Sequence, residues 1–217
     1  MQTINFHDGT HYTPSKIVAV FRNYVDHIKE MNSEQTEDPV LFLKPTTALA
    51  DISDPIKIPT NHGSVHFELE LAICIKRECS GITLENVDEY IAGYGIALDL
   101  TLRDIQAKAK QKGLPWAVAK GFDFSCPVSK FQQKTIDEVS DTNLQLSLND
   151  RLKQNANTKQ MIFPITKLLQ YISLFFTLLP GDIVLTGTPA GVGPLSPGDK
   201  ISASIGCLET INTHVIT

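Results

Sequence analysis

The sequence of 217 residues is poor in cysteine, with four in all, and no two of them form a Cys-x-x-Cys pair. This absence argues against a thiolate zinc site and against a disulfide framework. Cys74 and Cys207 lie in apolar runs typical of strands, as reduced core cysteines do. Reduced cysteines, together with the lack of a signal-peptide pattern before the first polar residues, lead us to expect a cytoplasmic protein.

Basic blocks and long apolar runs are also missing. Lys and Arg number 19 against 24 Asp and Glu, which gives a net charge of −5. We therefore expect no nucleic-acid partner, because proteins that bind nucleic acids carry basic surfaces that contact the phosphates. No apolar run approaches the ~20 residues of a membrane-spanning helix, so we expect no membrane partner either. Hydrophobic residues make up 42% of the chain, enough for one large domain with a buried core.

Two common catalytic motifs are absent. There is no Gly-x-Ser-x-Gly elbow for a serine nucleophile, and no cysteine stands beside a histidine. The glycine-rich segment TGTPAGVG (186–193) lacks the Gly-Lys-Ser/Thr ending of a phosphate-binding loop and opens no predicted helix. It therefore does not predict a nucleotide site, although its backbone amides could point into a site of another kind.

Short strands outnumber helices along the chain. Strands are predicted at 16–20, 40–43, 65–75, 94–101, 144–148, 183–185 and 201–205, and helices at 25–31, 84–92, 103–112 and 163–179. Since the two do not alternate regularly, we predict a mixed α+β fold, mainly β, a roll or sandwich with peripheral helices. Residues 1–15 are polar and predicted to be a loosely held N-terminal arm, before a single domain over 16–217.

The segment 65–75 (VHFELELAICI) alternates like a strand and carries two acids on one face, Glu68 and Glu70. A third acid, Asp99, stands alone in the apolar run 94–101. Neighbouring carboxylates repel and are costly to bury unpaired, so a bound cation would hold them together. An all-oxygen ligand set favours Mg²⁺ or Mn²⁺. The alternative is a wet strand end whose acids are solvated.

His27 and Glu30 are three residues apart in a predicted helix and so share a face. A carboxylate in that position can hold an imidazole in one tautomer and raise its basicity. A surface ion pair is the alternative interpretation. The polar loop 32–39 follows and is a natural hinge for the segment that carries His27.

The sequence resembles the fumarylacetoacetate hydrolase family, specifically its small single-domain branch of acylpyruvases and oxaloacetate decarboxylases. The matching segments are RNYVDHIKE (22–30), VLFLKP (40–45), GSVHFELELA (63–72), AGYGIALDLTLRDIQ (92–106), AKGFD (119–123) and PGDIVLTGTPAGVG (180–193). They follow the family's order and spacing across nearly all of the chain after residue 15. The resemblance implies a single catalytic domain over 16–217 with the family's β roll, and a homodimer.

The same resemblance implies a role for each matching position. Glu68, Glu70 and Asp99 would bind Mg²⁺ or Mn²⁺, His27 and Glu30 would form a catalytic dyad on a short lid helix, Lys120 would stabilise developing negative charge, and Lys44, Arg103, Gln106 and Thr188 would line the substrate pocket. Some positions depart from the family: Phe21 replaces the usual glycine before Arg22, and Asp150 and Ala156 stand where glycine is common, in a peripheral hairpin that we expect to matter little. We expect the bulky side chain of Phe21 to change the lid geometry and the size of substrate accepted.

The implied reaction is metal-dependent hydrolysis of the C–C bond of 2,4-dioxo acids (acylpyruvates) to pyruvate and a carboxylic acid. Oxaloacetate decarboxylation would proceed through the same pyruvate enolate. Two alternatives stay open: an isomerase or decarboxylase of an aromatic ring-cleavage product, and a non-catalytic metal-binding protein on the same scaffold.

Overall fold

Two β-sheets form the body of the protein, which a computed structural model describes over residues 2–217. The strands are β1 (Ile4–Asn5), β2 (His11–Tyr12), β3 (Ile17–Phe21), β4 (Val40–Lys44), β5 (Leu49–Asp51), β6 (Ile56–Lys57), β7 (Val65–Phe67), β8 (Leu69–Ile75), β9 (Ile91–Leu98), β10 (Thr101–Leu102), β11 (Cys126–Val128), β12 (Asn143–Leu148), β13 (Arg151–Asn157), β14 (Ile183–Leu185), β15 (Gly193–Pro194), β16 (Lys200–Ile205) and β17 (Ile211–Ile216). The helices are α1 (Val25–Glu30), α2 (Arg103–Gln111), α3 (Ala117–Lys120), α4 (Ile136–Ser140) and α5 (Ile165–Phe175).

The larger sheet has seven strands in the order β4-β3-β14-β8-β9-β11-β5 and the second has five, in the order β13-β12-β16-β17-β6. A three-stranded ribbon, β10-β7-β15, joins them near the site described below, and β1 pairs with β2. The larger sheet is mixed, because β3 lies parallel to β14 whereas β8 and β9 are antiparallel neighbours. This mainly β, mixed α+β architecture confirms the predicted fold class.

Strands that are apolar at every position lie at the centre of the larger sheet. All residues of β3 (IVAVF) are buried, since both faces of the sheet are covered. Val18 and Val20 face the larger core cluster with Leu71, whereas Ile17 and Ala19 face a smaller one on the opposite side. The alternation of side chains along each strand thus divides the core into two layers.

The N-terminal arm is held more firmly than expected from its polar composition. Ile4 and Phe6 are only 2% and 4% exposed and join the smaller core cluster. The Phe6 ring lies 5.6 Å from that of Phe131. The expectation of a loosely held arm was therefore wrong for these residues, because two apolar side chains in a polar segment suffice to anchor it; Met1 lies outside the described residues.

The predicted strand 65–75 is divided at Glu68. Residues of β7 pair with β10 and β15, whereas β8 pairs with β9 and β14. The chain therefore passes from one sheet to another at Glu68, a change that the continuous alternation of the sequence conceals.

Two predicted helices are also shorter than expected. The segment 84–92 forms a 3₁₀ turn at Leu84–Tyr90, and α5 begins only after Pro164 and ends at Phe175. Within residues 2–217, no helix is both long enough and apolar enough to cross a membrane.

The turn Pro180-Gly181-Asp182 carries a buried carboxylate that joins the arm to the sheet. Asp182 accepts hydrogen bonds from the backbone N–H groups of Ser15 and Leu179, at 2.9 and 2.8 Å, and pairs with the ammonium of Lys16. Burial raises the pKa of Asp182, but these bonds outweigh it and hold the pKa below its usual value. The second such turn, at 197–199, leaves Asp199 partly exposed.

We predict that Asp182→Asn destabilises the protein by about 3 kcal/mol, because an amide cannot accept from all of these donors and loses the ion pair. The thermal midpoint should fall by about 10 °C in a chain of this length. The pKa of Asp182 is depressed in the folded state. The difference in stability between the wild type and Asp182→Asn should therefore have its full size above about pH 4 and become smaller as the pH falls further. Asp199→Asn is the matched control, and an equal loss in both variants would contradict this interpretation.

Candidate active site

Three buried carboxylates meet where the ribbon joins the larger sheet. Glu70 lies on β8, Glu68 on the link before it, and Asp99 directly after β9. The antiparallel pairing of β8 with β9, continued by a 2.8 Å bond from the Asp99 N–H to the Glu68 carbonyl, brings the three together. One oxygen from each side chain lies within 4.8 Å of the others. None of the three is more than 4% exposed.

Three cationic side chains surround this carboxylate cluster. The Lys120 ammonium donates to Glu68 and Thr101 at 2.8 and 2.7 Å and to Asp99 at 2.5 Å, which uses all three of its donors. Lys44 donates to Asp99 at 2.6 Å, and Arg103 to Glu68 at 2.5 Å. Burial alone would raise the pKa of Glu68, but Lys120 and Arg103 hold it at about 2.

Glu70 has no cationic partner among the described residues. Its carboxylate accepts a 2.6 Å hydrogen bond from the Gly187 N–H. Burial, followed by the charges of Asp99 and Glu68, raises its pKa well above the usual range. A divalent cation would relieve this repulsion, and clustered carboxylate oxygens are the ligands that Mg²⁺ and Mn²⁺ prefer. The residues present therefore fit such an ion.

The predicted dyad lies on α1. His27 is 2% exposed, and its Nδ1 lies 3.0 Å from Oε2 of Glu30. Since a carboxylate accepts, the neutral imidazole carries its proton on Nδ1 and leaves the Nε2 lone pair available. When it is protonated, His27 lies close enough to Glu68 to help lower the pKa of that carboxyl. The imidazole is thus within electrostatic range of the carboxylate cluster.

The glycine-rich segment connects the dyad with the carboxylates. The other oxygen of Glu30 accepts from the Gly191 N–H at 3.0 Å, while Gly187 donates to Glu70. The backbone amides of this segment therefore point into the site, as the sequence allowed. Both glycines have positive φ, +93° and +98°, and a Cβ at Gly191 would lie 2.0 Å from a backbone oxygen of Lys153. Glycine is required there.

Asn23 and Arg22 fasten the two ends of the segment that carries α1. The side-chain amide of the fully buried Asn23 accepts a hydrogen bond from the Phe163 N–H at 2.7 Å. It donates to the Phe163 carbonyl at 3.1 Å and to the Thr186 carbonyl at 2.8 Å. Arg22 donates to the Ser33 hydroxyl at 2.9 Å, beyond the end of α1. Sequence reasoning missed Asn23, because nothing in its neighbourhood marks a partner 140 positions away.

The four predicted pocket residues divide into two pairs. Arg103 donates to Oε1 of Gln106 at 2.7 Å, and both side chains retain a buried N–H group without a partner in the described residues. These donors are free for a ligand. Lys44 is instead buried against Asp99, and the Thr188 hydroxyl bonds the Leu69 carbonyl at 2.9 Å. In this structure, Lys44 and Thr188 therefore bind other groups of the protein and help to position them, whereas we had expected both side chains to line the substrate pocket.

Phe21, a departure from the family pattern, packs beside the helix that carries Lys120. Its ring meets that of Trp116 edge-on at 4.6 Å, and the Arg22 guanidinium lies 4.5 Å above it. Arg22 adopts a left-handed φ of 64°, which is strained for a bulky residue. The substitution thus adds an aromatic contact at the start of the lid segment.

Comparisons with known proteins agree with this geometry. A model of the family described as "Fumarylacetoacetate (FAA) hydrolase C-terminal" matches residues 16–216. The chain therefore belongs to the fumarylacetoacetate hydrolase family, a family that includes enzymes, and the predicted resemblance is confirmed.

Two curated relatives and one solved structure illustrate the similarity. The oxaloacetate tautomerase YcgM of Escherichia coli is 51% identical over 89% of this chain and 89% of its own. The mitochondrial oxaloacetate decarboxylase of Dictyostelium discoideum is 46% identical over 91% of this chain and 92% of its own. The crystal structure of fumarylpyruvate hydrolase from Pseudomonas aeruginosa, in complex with Mn²⁺ and pyruvate, has a TM-score of 0.92 at 29% identity and covers 99% of this chain and 95% of that one.

We predict that Mn²⁺ raises the thermal midpoint of the wild type by about 5–10 °C at a hundredfold excess over its dissociation constant. Glu70→Gln and Glu68→Gln should both lose this response, which differential scanning calorimetry would measure. Without the ion, the two substitutions should change the thermal midpoint in opposite directions. Glu70→Gln should raise it, because an uncompensated buried charge is removed, whereas Glu68→Gln should lower it, because Lys120 and Arg103 lose a partner.

The pH dependence of the ion-free proteins provides a second test. Because the pKa of Glu70 is raised in the folded state, the wild type should lose stability as the pH rises above the usual range of a glutamate, and Glu70→Gln should not. Glu89→Gln, on an exposed residue, is the control. An undiminished Mn²⁺ response in Glu70→Gln would refute the proposed ligand set.

Proposed function

We propose that the protein is a Mg²⁺- or Mn²⁺-dependent enzyme that transfers protons at the carbon beside the oxo group of short 2-oxo acids, with keto–enol interconversion of oxaloacetate as its main reaction. The observation that carries this proposal is the His27–Glu30 pair, which the glycine-rich segment connects to the three-carboxylate cluster. A proton-transfer group and a cation site within one pocket suit enolisation of a chelating substrate. The name of the 51% identical relative, an oxaloacetate tautomerase, supports this choice of substrate.

Glu68, Glu70 and Asp99 would hold the ion, which supplies Lewis acidity and a template for the carboxylate and oxo oxygens of the substrate. Arg103 and Gln106 offer free N–H donors within the same site. Donors of this kind, buried and without partners, stabilise a site only when a ligand accepts from them. We infer that they bind and orient the substrate's oxygens.

His27 would transfer the proton. Its Nε2 lone pair accepts a proton from C3 of oxaloacetate, the electron pair moves to the C2 oxygen, and the imidazolium returns the proton to that oxygen to give the enol. Glu30 fixes the imidazole by its 3.0 Å bond to Nδ1 and stabilises the positive charge while the proton is held. Lys120 and Lys44 keep the surrounding carboxylates compensated, and Lys120 adds positive charge next to the developing enolate.

Hydrolysis of acylpyruvates is a second candidate, favoured by the dyad and by the similarity to a fumarylpyruvate hydrolase. His27 would take a proton from water, the resulting hydroxide would add to C4, and the C3–C4 bond would break to leave a carboxylic acid and the enolate of pyruvate. Decarboxylation of oxaloacetate breaks the same bond, releases CO₂ and needs no activated water. It would therefore depend less on His27.

We predict that His27→Asn lowers oxaloacetate tautomerisation and acetylpyruvate hydrolysis by about 10²–10⁴-fold, since each requires the imidazole as a base. Oxaloacetate decarboxylation should fall by less than about tenfold. The enol absorbance of oxaloacetate reports the first reaction, and enzymatic assay of pyruvate reports the other two. The assays should be run on metal-stripped protein with and without added Mg²⁺.

His214→Asn is the matched control, because His214 is exposed on β17, outside the site. Undiminished tautomerisation in His27→Asn would disprove the role assigned to His27. If the wild type turned over neither substrate although Mn²⁺ was bound, the alternatives of a ring-cleavage isomerase or a non-catalytic metal-binding protein would replace this proposal.

A further inference from the structure

Gln154 is a buried amide in a strand, β13, whose other residues are exposed or partly exposed. Its side chain is fully buried, whereas that of Leu152, two positions earlier, is 54% exposed. An apolar side chain outside and an amide inside reverse the usual preference. The hairpin of β12 and β13, which we expected to matter little, therefore reaches the interior through a polar group. Such a group is stable there only when its hydrogen bonds are made.

A β-bulge at Lys153 produces this reversal. Leu146 of β12 pairs with Gln154, but the next residue, Ser147, pairs with Leu152, which leaves Lys153 as the extra residue. In a regular strand, Leu152 and Gln154 would share one face, and the bulge places them on opposite faces. Gln154 consequently lies on the same face as Leu146, which is fully buried in the larger core cluster.

The amide of Gln154 closes a ring of hydrogen bonds around Leu69. Its Oε1 accepts from the Leu69 N–H at 2.9 Å, and its Nε2 donates to the Thr188 hydroxyl at 2.8 Å and to the Pro189 carbonyl at 2.9 Å. The Thr188 hydroxyl in turn donates to the Leu69 carbonyl at 2.9 Å. Both N–H groups of the amide are thus used, and Leu69 is held by its own N–H and its own carbonyl at once.

These side chains take the place of a neighbouring strand. β14 pairs with β8 at residues 72–74, and the Thr186 N–H extends this pairing by a bond of 3.1 Å to the Leu71 carbonyl. Leu69 lies two residues further along the same edge, beyond the end of β14, so its backbone groups face the same side. Gln154 and Thr188 supply the acceptor and the donor that a longer β14 would have given.

The ring fixes the backbone between two of the three clustered carboxylates, since Leu69 stands between Glu68 and Glu70. The chain passes from one sheet to another at Glu68, so regular pairing stops at this point. The bulge also contacts the segment that binds the dyad. A Cβ on Gly191 would lie 2.0 Å from the carbonyl oxygen of the bulged residue, and the Gly191 N–H donates to Glu30 at 3.0 Å. One irregularity in β13 thus supports both halves of the site.

We propose that Gln154 is a positioning residue of the active site, whose amide acts through Leu69 to hold the carboxylates of Glu68 and Glu70 at the spacing that a divalent cation requires. The proposal rests on the ion site of the function proposed above. Residues that orient the ligands of a metal without touching the metal typically contribute about 10- to 100-fold to its affinity. The affinity for Mn²⁺ is therefore the quantity that reports this role.

The test is isothermal titration of Mn²⁺ into the full chain, as wild type and as the variants Gln154→Met and Thr158→Val. Methionine has nearly the volume of glutamine but lacks the amide oxygen that binds Leu69 and the N–H groups that bind Thr188. We expect Gln154→Met to weaken Mn²⁺ binding by about 10- to 100-fold, at a temperature where circular dichroism shows that the variant is folded.

Thr158→Val is the matched control. Thr158 is buried at the end of the same hairpin, and its hydroxyl accepts from the Thr142 N–H at 2.9 Å and donates to the Thr142 carbonyl at 3.3 Å. Valine keeps the shape of the side chain and removes these bonds, neither of which involves β8 or the glycine-rich segment. The variant should lose stability but bind Mn²⁺ within about twofold of wild type.

A double-mutant cycle separates positioning from a general loss of stability. Thr188→Val breaks the ring at its hydroxyl, so its effect on Mn²⁺ affinity should overlap with that of Gln154→Met. The double variant should then bind Mn²⁺ within about threefold of the weaker single variant. Should Gln154→Met not fold, the same loss of affinity is expected in Thr188→Val, which then carries the test.

Wild-type Mn²⁺ affinity in the folded variant would overturn the inference while leaving the proposed function standing. An equal loss in Thr158→Val would do the same, because affinity would then merely follow stability. Fully additive losses in the double variant would also overturn it, since the two side chains would then act independently. A wild type that binds no Mn²⁺ would overturn both the inference and the proposed function.

Discussion

The mutual repulsion of three buried carboxylates is the constraint on which the site depends. Glu68, Glu70 and Asp99 lie within one small volume, and only the first and last are compensated by ammonium or guanidinium groups. Burying such a cluster is unfavourable unless charge of the opposite sign accompanies it. A cation at Glu70 would remove this deficit, and the unpaired N–H groups of Arg103 and Gln106 would be satisfied by the oxygens of a ligand.

Backbone amides of one loop connect this carboxylate cluster to the His27–Glu30 pair. The Gly187 N–H donates to Glu70 and the Gly191 N–H donates to Glu30, so the carboxylate cluster and the His27–Glu30 pair are held by the same loop. Preorganisation of this kind matters in catalysis, because a displacement of about 1 Å between reacting groups can cost 10²-fold in rate. The loop resembles a phosphate-binding loop since both require free amides and left-handed glycines.

Alternation and isolated acids in apolar runs were enough to predict the fold class, most strands and the meeting of Glu68, Glu70 and Asp99. The division of the segment 65–75 was not predictable, because the period of two continues unbroken across Glu68. Local patterns also could not show that Lys44 turns inward onto Asp99, nor that Asn23 fixes the start of the segment that carries α1. Lys44 and Asn23 bond to residues 55 and 140 positions away, and sequence periodicity carries no information on partners so distant.

The attachment of Asn23 has a consequence for biosynthesis. Its partners, Phe163 and Thr186, follow it by 140 and 163 positions. At about 5–20 residues per second, the ribosome needs roughly 10–30 s to make that interval. During this time Asn23 lacks its bonding partners, and β3 can pair with β4 but lacks its other neighbour, β14. The nascent chain therefore cannot complete the three hydrogen bonds of Asn23 until much of its last third has emerged.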